Sequence, residues 1–269
     1  MRLSRAGFLL LMFFVADAPA WAAEHPSLVR ARVLHNAADY DAAISAADVA
    51  RVDPASADAA KLVAARSHLE RYRLRLDPGD LDAARGALGA VRSAALSPRD
   101  RLDLLVGLGQ SLYLGGTFGA AAELFDAALG QSSLLDARDR LLLLDWWATA
   151  VDREAQRLAA DRRAPPFERV IDRMEEELRQ DPGNAAASYW LAVSARGAGD
   201  IERAWHAAVA GWVRAILRPN SAAALRSDLD RLVTQALILE RARTRPAAEQ
   251  EAAAMAFGAE WNAVKSQWP

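Results

Sequence analysis

The sequence predicts an all-α protein of about twelve helices, folded as antiparallel hairpins and stacked on one another. Three observations carry that expectation. The apolar share of 52% comes mainly from Ala and Leu, with few β-branched residues, which favours helix over strand. Large apolar residues recur at helical spacing along most of the chain, and no stretch of useful length alternates with period two. Short breaks rich in glycine, proline and Asp or Asn separate the periodic stretches. A chain of 269 residues has room for a sizeable core in one or two domains.

From the start of the chain, Arg2 and Arg5 precede an apolar run from Ala6 to Ala16, and Pro19 breaks it. Ala20-Trp21-Ala22 then puts small residues at the two positions a signal peptidase reads. Residues 1–22 are therefore expected to be a secretory signal cleaved after Ala22, too short to remain as a membrane anchor. No later stretch approaches span length: Leu141 to Leu144 meets Asp145, Trp146 and Trp147. Residues 23–269 are expected to form a single domain, soluble in the bacterial periplasm or outside the cell, with His25 frayed at the new end.

The hairpins follow in order. Tyr40-Asp41-Ala42-Ala43-Ile44 leads through Ala47 and Ala50 to Asp53-Pro54, and Gly79-Asp80-Leu81-Asp82-Ala83-Ala84 repeats that turn and small residue. Ser97-Pro98 is a cap followed by proline at the first helical position. Leu105, Leu108, Gly109 and Leu112 share one helical face. Leu114-Gly115-Gly116-Thr117 breaks the pattern, and Phe118, Ala121, Phe125 and Ala128 resume it. Small Gly109 and Ala121 let the two helices approach closely. The string Arg-Asp-Arg-Leu occurs at 99–102 and again at 138–141, each time opening a helix, and reads either as an N-terminal pattern or as coincidence; the second helix is long, reaching from Leu134 to Leu158. Phe167 to Leu178 ends at Asp181-Pro182. Leu191, Ala192 and Ala195 lie on the next helix, Gly199-Asp200 turns, and Ile201, Ala204 and Ala208 follow. Asn220-Ser221 caps a helix running to about Arg245. Pro246 begins the last helix, whose face of Phe257, Trp261, Val264 and Trp268 packs back on the array.

The order large, large, small, large, turn, aromatic, small, large, small resembles the tetratricopeptide repeat, most clearly over 102–132 and 185–217, with a closing hairpin at 221–268. That resemblance implies an α-solenoid whose concave side, lined by the first helix of each hairpin, receives an extended peptide. Carried onto the two clear units, the groove positions are Asp103, Val106, Gln110 and Tyr113, then Tyr189, Val193 and Arg196. The match is irregular. Of the intervals joining Ala43, Ala84, Ala121, Val170 and Ala204, only the last equals the family's period of about 34 residues. Tryptophans at 146, 147, 190, 205, 212, 261 and 268 fit core filling at helical spacing. The sharper alternative is an aromatic-lined groove for a peptide or glycan. Trp146 joins the groove candidates because Trp146 and Trp147 point about 100° apart on a helix.

A net charge of −2 implies no basic face and argues against nucleic acid as a partner. The absence of cysteine removes disulfides, thiolate metal sites and a thiol nucleophile. Glu202 and His206 are one helical turn apart, but with no third ligand in sight no metal or cofactor is expected. Asp228 and Asp230, and Glu175 to Glu177, read as solvent-facing carboxylates. Asp145 sits in an apolar stretch and, if buried, calls for a partner such as Arg153 or another arginine. No serine lies in a nucleophile elbow and no glycine loop resembles a phosphate cradle, so no enzyme is expected. The expectation is an interaction or scaffold module for a protein or peptide partner in the bacterial envelope. The alternative is a periplasmic small-ligand binder associated with a solute transporter. Self-pairing through an end hairpin stays open.

Overall fold

A computed structural model describes residues 24–269, so the signal expected over 1–22 lies outside the described residues. Twelve helices and no strand make up the described residues. They are α1 (Pro26–Asn36), α2 (Tyr40–Ala50), α3 (Ala57–Arg75), α4 (Pro78–Gly89), α5 (Pro98–Leu114), α6 (Phe118–Leu129) and α7 (Ala137–Ala155). α8 (Ala164–Gln180), α9 (Ala185–Gly197) and α10 (Ile201–Arg214) follow. α11 is continuous through Pro219–Leu232, a π turn at Val233–Leu237 and Ile238–Ala242, and α12 is Gln250–Gln267. The chain divides into two compact units, the first ending at Leu143 and the second starting at Leu144, within α7.

In the first unit, the starts of α1, α2, α4 and α5 are fixed by side chains that satisfy free amide groups. The Ser97 hydroxyl accepts from the Asp100 amide at 3.1 Å, with Pro98 at the first position of α5. His25 is not frayed: its Nδ1 accepts from the Ser27 amide and Pro26 opens α1. The pairs α1–α2, α3–α4 and α5–α6 pack as hairpins, and α3 also touches α1 and α5 directly. Two clusters of their core are aliphatic, Leu62, Leu69, Ala84 and Leu88 in one and Leu28, Ala31, Ala47 and Val63 in the other, and Phe125 is buried between α5 and α6. Gly109 lies against the Phe125 ring, where an added Cβ would fall 2.6 Å from a ring carbon. The turn after α5 rests on Gly116, at φ 82°.

In the second unit, α9 packs on both α8 and α10, α11 touches α9 and α10, and α12 packs on α11 and α10. Gly197 is a contact glycine and not part of the turn. An added Cβ there would fall 2.5 Å from the Phe167 ring, while Gly199 makes the turn at φ 88°. α11 starts at Pro219, one residue before the expected cap, because a residue without an amide hydrogen is well placed in a first helical turn. Here the core is aromatic. Trp205, Trp212 and Trp261 meet edge to face, and the Arg241 guanidinium lies over Trp205 and Phe257 at 4.6 and 4.2 Å. Trp146, Trp147, Trp190, Trp205, Trp212 and Trp261 are all buried, and Trp268 is exposed. No helix among the described residues is long and apolar enough to cross a membrane.

Candidate functional site

In each unit the odd-numbered helices touch one another, and their shared polar residues are where chemistry can collect. The two units use those residues differently. In the first, charges are answered within the chain. Arg32 pairs with Asp100 at 3.0 Å and Arg66 with Asp103 at 2.9 Å. Arg99 reaches both Asp103, at 3.3 Å, and Asp139, at 2.6 Å. This ladder ties α1, α3 and α5 to the start of α7. The groove candidates Asp103 and Gln110 are buried on α5, Asp103 between two guanidinium groups, and Tyr113 packs its ring against Phe118 at 5.1 Å. Asp139 is the ladder's weak rung. Its Oδ1 is buried without a donor, and burial pushes its carboxyl up to about 6 against the pull of Arg99.

In the second unit, Asp145 and Asp152 are seven residues apart on α7, and Tyr189 and Arg196 are seven apart on α9. Seven residues return to within about 20° of the same direction, so each pair shares a helix face. Trp190 Nε1 donates to Asp145 Oδ1 at 2.9 Å, which docks α9 on α7. Arg196 donates through two nitrogens to Glu240 of α11, at 2.8 and 2.6 Å, which docks α11 on α9. Asp228 also comes from α11, with Arg231 of the same helix at 3.4 Å.

Two carboxylates of this face, Asp145 and Asp152, form no ion pair of the kind the ladder supplies among the described residues. Asp145 finds no arginine. Its partner is the Trp190 indole, which corrects the expectation of an ion pair. Burial pushes its carboxyl above the ordinary range, the indole bond opposes that, and Asp228 adds to it. Burial likewise raises Asp152, against the Gln156 amide bond, Arg153 and Arg196. Asp228 is raised by burial against Arg231, and its field adds to that at Asp145 and Tyr189, although its side chain stays partly exposed. The Tyr189 phenol is pushed up to about 12 by burial and by the field of Asp228, Asp145 and Asp152.

Such a face can accept N–H donors and receive positive charge, with Tyr189 offering ring area and one hydroxyl. Among the described residues no serine, threonine or histidine side chain hydrogen-bonds to Asp145, Asp152 or Asp228. No group of three His, Cys, Asp or Glu among them is placed to hold a metal ion. Glu202, paired with His206 in the sequence reading, gives both oxygens to Arg241 at 2.8 and 2.9 Å.

Of the six groove candidates, the structure groups Tyr189 and Arg196 on one face of α9, while Trp146 is buried on α7. Sequence reasoning missed Asp152 and Glu240. The seven-residue echo of Asp145 in Asp152 was a usable signal. Fold and face together define an all-α protein of packed helices whose second unit carries carboxyls raised by burial on α7 and α11. No protein-family model, curated protein or solved structure matches the chain.

Proposed function

We propose that this chain is an exported helical-repeat interaction module of the tetratricopeptide type, whose second unit receives a positively charged peptide segment in the bacterial envelope. One observation carries the reading: among the described residues Asp145 and Asp152 form no ion pair, Asp145 being held by the Trp190 indole and Asp152 by the Gln156 amide, and with Asp228 they bear electrostatically on the Tyr189 phenol. Partly desolvated carboxylates attract lysine and arginine more strongly than solvated ones do, because the surrounding dielectric is lower. A bound guanidinium would also meet the ring of Tyr189. Export rests on the leader-like layout of residues 1–22, and the repeat assignment rests on the two clear sequence units. The binding role is supported by the raised carboxyls of Asp145 and Asp152, which offer acceptors to N–H donors.

The test is fluorescence anisotropy with labelled peptides of equal length, one rich in Lys and Arg and one rich in Glu. The reading expects saturable binding of the basic peptide alone, weakening as salt rises. Equal binding of both peptides, or of neither, contradicts it. The second reading, a small-ligand binder serving a transporter, is favoured by the same desolvated carboxylates if the ligand is a small amine. A diamine that shifts the melting temperature while the basic peptide does not would select it.

A further inference from the structure

The π turn at Val233–Leu237 interrupts an otherwise regular α11, and the Ile238 amide there reaches back five residues to the Val233 carbonyl. The Thr234 hydroxyl donates to the Asp230 carbonyl at 2.6 Å, a side-chain bond inside the widened region. π turns of this kind behave as one extra residue accommodated within an α-helix. The phase of α11 shows what that residue does. Asp228 and Glu240 are twelve positions apart, and twelve regular steps would leave them about 120° out of phase. With one residue absorbed by the π turn they behave as eleven apart and fall within about 20° of each other. Both flanks are anchored independently. Upstream, Asp230 accepts from Trp261 and Lys265 of α12, each at 2.8 Å. Downstream, Glu240 holds Arg196, and Arg241 holds Glu202 and Glu260. A regular helix of this sequence could satisfy one set of partners and not the other.

We infer that the π turn of α11 is a positioning device, a one-residue phase correction that brings Asp228 and Glu240 onto the same face of the second unit. As a claim about helix phase it needs no ligand. Its relevance to binding rests on the function proposed above.

The test uses the whole protein and the asymmetry between losing and gaining a residue. Deleting Gln235, which is exposed within the turn, should leave a regular α-helix with both flanks in place. Inserting one alanine after Gln235 adds a residue that the turn has no room to absorb. The readout is a double-mutant cycle on Arg196→Ala and Glu240→Ala, which isolates their coupling from any general loss of stability. In the wild type that coupling is expected to change the unfolding constant about threefold, as for a two-pronged pair of partial exposure. The deletion variant should fold and keep the coupling, and the insertion variant should lose it. A deletion variant that fails to fold, or that folds without the coupling, overturns the inference. So does an insertion variant that keeps it. Basic-peptide binding forms a separate arm: if the wild type binds no peptide, the proposed function fails while the cycle still reports on helix phase.

Discussion

The odd helices of the two units carry polar residues of the same types, and treat them in opposite ways. On α1, α3, α5 and the first turn of α7, three arginines meet three aspartates: Arg32, Arg66 and Arg99 against Asp100, Asp103 and Asp139. On the rest of α7, α9 and α11, Arg196 is committed to Glu240 and Arg231 stands near Asp228, while Asp145 and Asp152 form no ion pair. A buried pair is expensive to break, because removing one partner strands the other without water. A raised, unpaired carboxylate is the reverse case, a cost the fold already carries and an external cation can relieve. The comparison therefore separates carboxylates answered by arginines of the chain from carboxylates that are not.

The largest expected effect breaks the ladder. Arg99→Met leaves Asp103 and Asp139 without a shared cation. It should cost roughly 3 kcal/mol, the low end for breaking a buried pair, since Arg99 keeps a third of its side chain in water. Calorimetric or denaturant unfolding measures it, and a loss under about 0.5 kcal/mol would remove the distinction between the units.

Next come two glycines that serve as packing controls, one in each unit. Gly109→Ala and Gly197→Ala each push a Cβ into a phenylalanine ring, Phe125 or Phe167. Each should cost about 1–2 kcal/mol, overpacking outweighing the gain in helix propensity. Equal losses at the two sites would show that the units differ in their charges and not in how tightly their helices pack.

A smaller effect of opposite sign belongs to the acidic face. Asp145→Asn keeps an acceptor for the Trp190 indole and removes a charge that burial disfavours. For a carboxyl raised on folding, the folded chain binds its proton more tightly than the unfolded chain. Its contribution to stability is then present at pH below the ordinary carboxylate value and lost as pH climbs through the raised one. The variant should therefore match or exceed the wild type in melting temperature at pH 7.5 and lose that advantage toward pH 4. Asp139 makes the same argument inside the ladder: its carboxyl stands at about 6, so wild-type stability should fall between about pH 4 and pH 6. Asp139→Asn should flatten that step in a melting-temperature profile.

Much of the fold was legible in the sequence because helix periodicity, caps and small contact residues are local signals. The repeated Arg-Asp-Arg-Leu string proves to be one device used twice. Each aspartate sits at the third helical position, its amide held by Ser97 in one case and Asp136 in the other. The arginine of the first string then reaches the aspartate of the second. Gly109 was readable for the same reason, since its partner Phe125 lies in the adjacent helix of one hairpin. The acidic face was only half readable. Tyr189 and Arg196 came from the repeat pattern, but Asp145 gave no hint that an indole and not an arginine would meet it. Glu240 could not be assigned by counting, because the π turn shifts the phase that counting assumes.

The central claim is that the second unit's unpaired carboxylates are a binding surface. The most direct test compares two charge-matched variants for affinity toward one Lys- and Arg-rich peptide: Asp145→Asn with Asp152→Asn, and exposed Asp82→Asn with Glu251→Gln. Both remove two negative charges, so a general electrostatic attraction would weaken equally in the two. The account predicts at least about a tenfold loss for the first variant and little change for the second, a difference of about 1.4 kcal/mol in binding. Equal losses, or full affinity in the first variant, would contradict it.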